Sequence, residues 1–310
     1  MGTLGPVVKI SVVIPTHNRL DGLASAIFSL SEQTVRPDEI IVIDDGSDQA
    51  VPASIFQGFP ADVRTVLIRN ETPKGGNHAR NRGVLSATGD YIAFLDDDDT
   101  FKPKKIELLK KSAQENPSVD LIYHPAHIHM VNEGVSYFSK PKKFESDEEV
   151  FRRLLVSNLI GGTPMVTVRR TALLHAGLFD ENMPALQDYE LWIRLAKNNY
   201  RFYFLNEPLT NYVHKTKSSS ITKNSDAIER ARMILDGKYR HVLTEAERRV
   251  LRRSRLKSDV LRFSLNGNMV SAFRKSVNAF WVTKDKFFLV SALSSLMGQK
   301  IFFKLFMVFK

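Results

Sequence analysis

No cysteine occurs in these 310 residues. Thiol catalysis, disulfides and cysteine-ligated zinc are therefore excluded, and any metal must be held by Asp, Glu, His or carbonyl oxygens. A disulfide-free chain also fits a reducing compartment. Long apolar runs are missing as well. The longest, Phe287 to Met297 and Ile301 to Phe309, are separated by Gln299 and Lys300, and neither reaches the roughly 18 residues that a spanning helix needs. Nor does Met1 to Val8 read as a signal peptide, because no basic flank leads into an apolar core. Acidic charge is in the minority, with 34 Asp and Glu against 44 Lys and Arg, a net of +10. Such a chain is drawn to something anionic: nucleic acid, a lipid headgroup surface or a phosphorylated substrate.

The distribution of charge narrows that choice. Residues 223–310 carry 19 Lys and Arg against 7 Asp and Glu, so the chain before them is close to neutral. Paired acids in the first two thirds would repel a phosphate backbone, and no nucleic-acid partner is expected. Apolar content of 43% and charged content of 25% are those of a folded protein. The length suits one large α/β domain of roughly 200–250 residues plus an appendage.

Along the first hundred residues, short apolar runs alternate with helical patterns. Ile10 to Ile14, Glu39 to Ile43, Val63 to Ile68 and Tyr91 to Leu95 read as buried strands. Gly22 to Gln33 and Asn77 to Thr88 read as helices. This alternation predicts a mostly parallel, doubly wound sheet with right-handed crossovers. Ligands of such sheets bind outside the carboxyl ends of the strands. Three strands end there in polar residues: Thr16 and Asn18, Asp44 and Asp45, and Asp96 to Asp99. Farther on, Leu121 to Val131 and Met165 to Arg169 read as strands, Asp147 to Asn158 and Leu186 to Lys197 as helices. From Ala227 onward the pattern is helical, over 227–239, 245–265, 269–279 and 287–297. The Ser-rich stretch Lys217 to Lys223 is the expected boundary.

The run Asp96-Asp97-Asp98-Asp99 places four like charges side by side, which a fold keeps only with a compensating cation or as a solvated turn. At the rim of the sheet, Asp96 and Asp98 could face the same way. Their hard oxygens would suit Mn2+ or Mg2+, ions that share their coordination with diphosphate oxygens. Asp44-Asp45-Gly46 could accept hydrogen bonds from a ribose or base, or form an Asp-Gly turn. Gly75-Gly76-Asn77, with Arg80, Asn81 and Arg82, supplies free backbone and two cations near a helix start, but no G-K-[ST] follows and this is no Walker loop.

Taken together, these segments closely resemble the inverting glycosyltransferases of family 2. PTHNR follows the first strand (Pro15 to Arg19) and IDDGSD the second, GGNHARNRG precedes the fourth, and FLDDDD closes it. GLFDENMPALQDYELWIRL (Gly177 to Leu195) is similar to that family's acceptor-side motif, and Tyr212-Val213-His214 before Ser218 to Ser220 to its closing loop. The resemblance covers roughly Lys9 to Ile221 and implies a GT-A, Rossmann-like catalytic domain over residues 7–222. Its nucleotide-sugar half would span about 7–100 and its acceptor half about 101–222, with a basic, aromatic-rich helical region over 223–310. It further implies that Pro15, Thr16, Asn18, Asp44 or Asp45, Asn77 and Arg80 line the donor nucleotide. Asp96, Asp97 and Asp98 would lie at the diphosphate, with Asp98 and His214 on the metal and Asp188 as catalytic base. Relatives often carry an acidic pair at that last position, whereas Gln187 precedes Asp188 here. Trp192 could stack on a sugar of the acceptor, although an aromatic on a helix is more often core.

The expected partners are then a nucleotide-sugar donor, with UDP as the default, and a glycan or lipid-linked oligosaccharide acceptor of a surface polysaccharide. A sugar nucleotidyltransferase is the nearest alternative. Its first strand would usually lead into a Gly-rich, Arg-containing loop, where this chain has PTHNR. In the tail, Arg248, Arg249, Arg252, Arg253, Arg255 and Lys257 cluster on one helix. Trp281, Phe287, Phe288, Phe302, Phe303, Phe306 and Phe309 alternate with Lys284, Lys286, Lys300, Lys304 and Lys310. Such helices suit an anionic membrane surface, so a cytoplasmic protein peripheral to the inner face is expected. The competing expectation is that they pack on the catalytic domain or on a second subunit.

Overall fold

The computed structural model describes residues 7–214, 225–299, 301–303 and 305. Its first half follows the predicted alternation. β1 (Ile10–Thr16) leads to α1 (Leu20–Ser31), β2 (Glu39–Asp44), β3 (Arg64–Arg69), α2 (Gly76–Ser86) and β4 (Tyr91–Phe94). The middle of the chain forms β5 (Thr100–Phe101), α3 (Lys105–Glu115), β6 (Leu121–Tyr123), β7 (Ala126–Met130), β8 (Val135–Phe138) and α4 (Asp147–Leu154). Then come β9 (Val166–Arg169), α5 (Arg170–His175), α6 (Gln187–Lys197), β10 (Phe202–Phe204) and β11 (Thr210–His214). Four helices end the chain: α7 (Ser225–Tyr239), α8 (Glu245–Leu265), α9 (Met269–Thr283) and α10 (Lys286–Leu296).

Seven strands make the main sheet in the order β10-β6-β9-β4-β1-β2-β3. β1 to β4 are mutually parallel, and β9 alone runs antiparallel to its neighbours β4 and β6. β1 and β2 are β-branched runs because both faces of each are covered, as a central parallel strand requires. Val13 and Ile41 face α2 and the later helices, while Val12, Ile14, Ile40 and Val42 pack with Leu23 and Leu30 of α1. After β3 the chain returns across the sheet to place β4 on the other side of β1. The direction of strand order therefore reverses at β1, and a crevice opens at its carboxyl end.

The predicted strand Leu121 to Val131 is two strands in two sheets. Pro125 has no N–H to donate and interrupts the ladder. β6 stays in the main sheet, and β7 joins a second sheet of order β5-β11-β7-β8. That second sheet does not show in the sequence pattern, because its strands are only two to five residues long. It supports the tail. Ala126, Ile128 and Met130 of β7 pack with Val260, Ala279, Phe288, Phe302 and Phe303.

This packing corrects part of the membrane expectation. Phe288, Phe302 and Phe303 are core residues. Several of the basic residues are also paired within the protein: Arg248 with Glu245, Arg255 with Asp236, and Arg253 and Lys257 with Asp285. Outward apolar surface remains on α10, where Leu289, Leu293 and Leu296 are exposed together with Met297, near the exposed Trp281 and Val282 of α9. Among the described residues no helix is long and apolar enough to cross a membrane. The Ser-rich boundary at 217–223, Lys300, Lys304, Phe306, Phe309 and Lys310 lie outside the described residues.

Candidate functional site

The acidic run leaves β4 at the crevice beside β1, and its four carboxylates alternate. Asp96 and Asp98 keep side-chain exposures of 24% and 31% toward the cleft, whereas Asp97 and Asp99 are buried at 5% and 1%. Their mutual repulsion is answered from within the protein. Arg80 Nη2 donates to Asp96 Oδ1 at 2.6 Å. Arg19 Nη1 donates to Asp97 Oδ1 at 3.1 Å and to Asp98 Oδ2 at 2.9 Å. Thr16 Oγ1 donates to the other oxygen of Asp97 at 2.8 Å, joining the ends of β1 and β4. Asp99 Oδ1 accepts from the Val213 N–H at 2.8 Å and so holds the end of β11. Burial pushes the Asp99 carboxyl well above its usual range. Beneath it, the buried Lys105 donates to the Pro164 carbonyl and the Thr210 hydroxyl, and burial pushes its ammonium well down.

The acids after β2 build the neighbouring wall. Asp44 is 1% exposed and accepts from the Ser47 and Val51 N–H groups and from Arg69. Asp45 accepts from Asn70, from the Lys74 N–H at 3.0 Å and from the Gly75 N–H at 2.7 Å. Between them and that loop stands Gly46, with φ +68, where a Cβ would lie 2.7 Å from backbone atoms of Thr72 and Pro73. Only glycine fits there. The Asp-Gly turn is thus what Asp44 builds, and Asp44, Asp45 and Asp97 are all buried and bonded within the protein. Their oxygens satisfy loop N–H groups and arginines that would otherwise be orphaned. Pro15 sits within β1. Asn18, at φ +54, exchanges side-chain hydrogen bonds with Asp48.

On the opposite wall lies Asp188, in the first turn of α6. Its Oδ1 accepts from the Tyr189 N–H at 2.7 Å, and a methyl group built on Gly162 would meet its Oδ2 at 3.6 Å. Burial raises its pKa; the Tyr189 N–H and the Arg80 charge lower it, and the Asp96 charge raises it again. Arg80 is therefore felt by both Asp96 and Asp188. Tyr212 stands among the same acids, its phenol pushed well up by burial and by the charges of Asp99, Asp96, Asp98 and Asp188.

In the sequence Arg19, Tyr212 and Asn81 stand within quoted motifs, with no role of their own assigned to them. Asn81 exchanges two hydrogen bonds of 2.9 Å with the Phe179 backbone, and Asn77 Nδ2 donates to the Asp180 carbonyl at 3.0 Å. The i, i+4 spacing of these asparagines puts both on one face of α2, a signal available in NHARN. They bind the segment that leads into Asp188. His214 closes β11, with its backbone paired to Met130; its side chain lies outside the described residues.

Among the described residues, no three His, Asp or Glu side chains converge as a metal cage. Asp96 and Asp98 do present two hard oxygen donors on one side of the run, a partial set that fits a divalent ion sharing its coordination with diphosphate.

A parallel-rich α/β sheet with its acids at the reversal of strand order, capped by helices, is a GT-A fold. In agreement, the chain superimposes on the Staphylococcus aureus protein TarS in complex with UDP-GlcNAc. The TM-score is 0.62 at 17% identity, over 94% of this chain and 88% of that one. The model of glycosyl transferase family 2 matches residues 11–174, and the chain belongs to that family. An uncharacterized glycosyltransferase of Haemophilus influenzae is 35% identical over 223 residues, covering 72% of this chain and 74% of that protein. Escherichia coli WfgD, named as a UDP-Glc:alpha-D-GlcNAc-diphosphoundecaprenol beta-1,3-glucosyltransferase, is 29% identical over 190 residues. That match covers 61% of this chain and 70% of WfgD.

Trp192 does not serve the acceptor in this structure. It is fully buried, and its indole N–H donates to the Gly161 carbonyl at 3.1 Å, next to the Gly162 that lies against Asp188. Trp192→Ala should cost about 3–5 kcal/mol of stability, as loss of a large buried aromatic does. Urea denaturation measures this. Unchanged stability with a raised acceptor KM would restore the stacking role.

Proposed function

We propose that this family 2 glycosyltransferase is a metal-dependent, inverting enzyme. It would move a hexosyl or N-acetylhexosaminyl group from a UDP-sugar to a hydroxyl of a lipid-linked glycan in surface polysaccharide synthesis. One observation carries the reading: Asp96 and Asp98 open toward the cleft while Asp188 faces it from the other wall, with Arg80 between them. UDP-GlcNAc in the TarS complex and the diphosphate-lipid acceptor in the name of WfgD support the choice of substrates.

Asp98, Asp96 and His214 would hold Mn2+ or Mg2+. The chemistry that ion supplies is charge neutralisation on the departing diphosphate. The chain's own part is positional and acid–base. Arg80, bonded to Asp96, keeps a fixed positive charge beside the leaving group. Asp188 accepts the proton of the acceptor hydroxyl as its oxygen approaches the anomeric carbon from the face opposite the diphosphate. A single displacement from that face inverts the anomeric configuration. Thr16, Asn18, Asp45 and Asn77 shape the nucleoside wall through the loops they hold. On the tail helices, the exposed Leu289, Leu293, Leu296 and Met297 would rest on an anionic inner-face membrane, with Lys284 and Lys286 at its surface.

Release of UDP from a panel of UDP-sugars, with and without Mn2+, tests the core of this reading. Asp98→Ala should lose metal-dependent donor binding. Asp188→Asn should keep donor binding and lose about 10²–10⁴ of kcat, the usual worth of a general base; an unimpaired Asp188→Asn enzyme has another base. The base works ionised, so the rate falls as pH drops through the Asp188 pKa. Burial raises that pKa and so places the acid limb of kcat/KM above that of an ordinary aspartate. Arg80→Gln removes a charge that lowers it, and the limb should move to still higher pH; a downward move argues against Asp188. Anionic vesicles at low salt should carry down the full-length protein, and Leu293→Glu with Leu296→Glu should release it. Indifference of the wild type to such vesicles removes the membrane role.

A further inference from the structure

A cavity of about 730 Å³ lies behind the candidate base, between the catalytic domain and the tail helices. Leu186 and Tyr189, which flank Asp188 in sequence, line it with Ile193 one turn farther along α6. Leu155 and the residues to Asn158, just after α4, form a second side, and α7, α8, the turn between them and Phe287 of α10 close the rest. The two parts are held at a fixed separation there. Lys238 of α7 bonds both Asp180, at 3.0 Å, and the fully buried Glu190 of α6, at 2.9 Å.

The lining has two chemistries. Leu155, Leu186, Ile193, Leu235, Leu251 and Leu261 make an apolar wall. Arg232, Arg240, Arg253, Arg255 and Lys257 stand around it, against one acid, Asp236. Asp259 holds Arg232 in place, Asp236 holds Arg255, and Asp285 holds Arg253 and Lys257. Arg240 is exposed and has no ion pair among the described residues. A second cavity of about 500 Å³ shares Arg232, Asp236, Arg240 and Arg255 and adds Arg248, Arg249 and Arg252 beside the acids Glu229, Glu245 and Asp259. A hydrocarbon wall edged by forked guanidinium groups is complementary to an amphiphile whose polar end is a phosphate or diphosphate. The volume is that of a small-molecule site.

We propose that this cavity binds the lipid-diphosphate portion of the acceptor. The hydrocarbon would lie on the leucine wall and the diphosphate at Arg240 and Arg253, so that the attached sugar reaches round α6 toward Asp188. The proposal rests on the transferase reading for its choice of occupant. The cavity would then select acceptors by their anchor, while the donor cleft selects the sugar to be transferred.

Calorimetric titration of the full-length protein with farnesyl diphosphate, in excess UDP to fill the donor cleft, tests this directly. Farnesol and inorganic pyrophosphate serve as comparison probes. Farnesyl diphosphate should bind at least tenfold more tightly than either, and Arg240→Glu and Leu251→Glu should each weaken it at least tenfold with UDP affinity unchanged. Arg240 is on the surface, so its variant keeps the test sound should Leu251→Glu fail to fold. Equal binding in the wild type and Arg240→Glu overturns the proposal, as does pyrophosphate binding as tightly as the farnesyl compound, or no binding at all. The two readings fail separately. A protein that releases no UDP from any UDP-sugar, yet binds farnesyl diphosphate in an Arg240-dependent way, keeps the cavity and loses the transferase assignment. Transfer to a soluble glycoside with no binding of farnesyl diphosphate does the reverse.

Discussion

Four adjacent carboxylates at the mouth of a sheet are the constraint around which this protein is built. Left alone they would repel one another or take up protons. The fold instead turns alternate members inward, where Thr16, Arg19 and the Val213 N–H meet Asp97 and Asp99. Asp96 and Asp98 are left facing the cleft, the first held by Arg80 and the second by Arg19. The buried pair does structural work, and the other pair keeps part of its surface open. Each inward contact also fixes another element, for Thr16 ends β1 and Val213 lies in β11.

The cleft is consequently assembled from pieces far apart in sequence. Asp45 secures the loop before α2, α2 carries Arg80 to the acids, and its two asparagines grip the segment that delivers Asp188. Trp192, one turn beyond Asp188, completes the circle by fixing Gly161. The residues that could touch a substrate are few, and most of the polar side chains nearby hold backbone.

Much of this was legible in the chain, and the reason is physical. β1, β2 and β4 are β-branched and apolar runs cut short by polar residues, the pattern of buried parallel strands. The acids that follow them had to lie at one edge. The identity of their partners was not legible, because Arg19 and Arg80 reach Asp98 and Asp96 across the crevice and no local spacing records that. For the same reason the partners of Asp44 and Asp97 within the protein were not legible either. Carboxylates at strand ends are equally suited to satisfying loop N–H groups, and only the three-dimensional neighbourhood decides. The second sheet was hidden by Pro125, which splits an apparent single strand into members of two layers. In the tail, composition marked aromatics and cations but not their direction. Phe288, Phe302 and Phe303 turned inward against β7, and the leucines of α10 turned out.

The placement of α2 has one more consequence. A single rod of eleven residues carries the cation that holds Asp96 and the amides that anchor the segment leading into Asp188. Any tilt of that rod displaces both at once. The two halves of the cleft are geared to each other through its axis, so repositioning one wall in evolution or by engineering would require retuning the other.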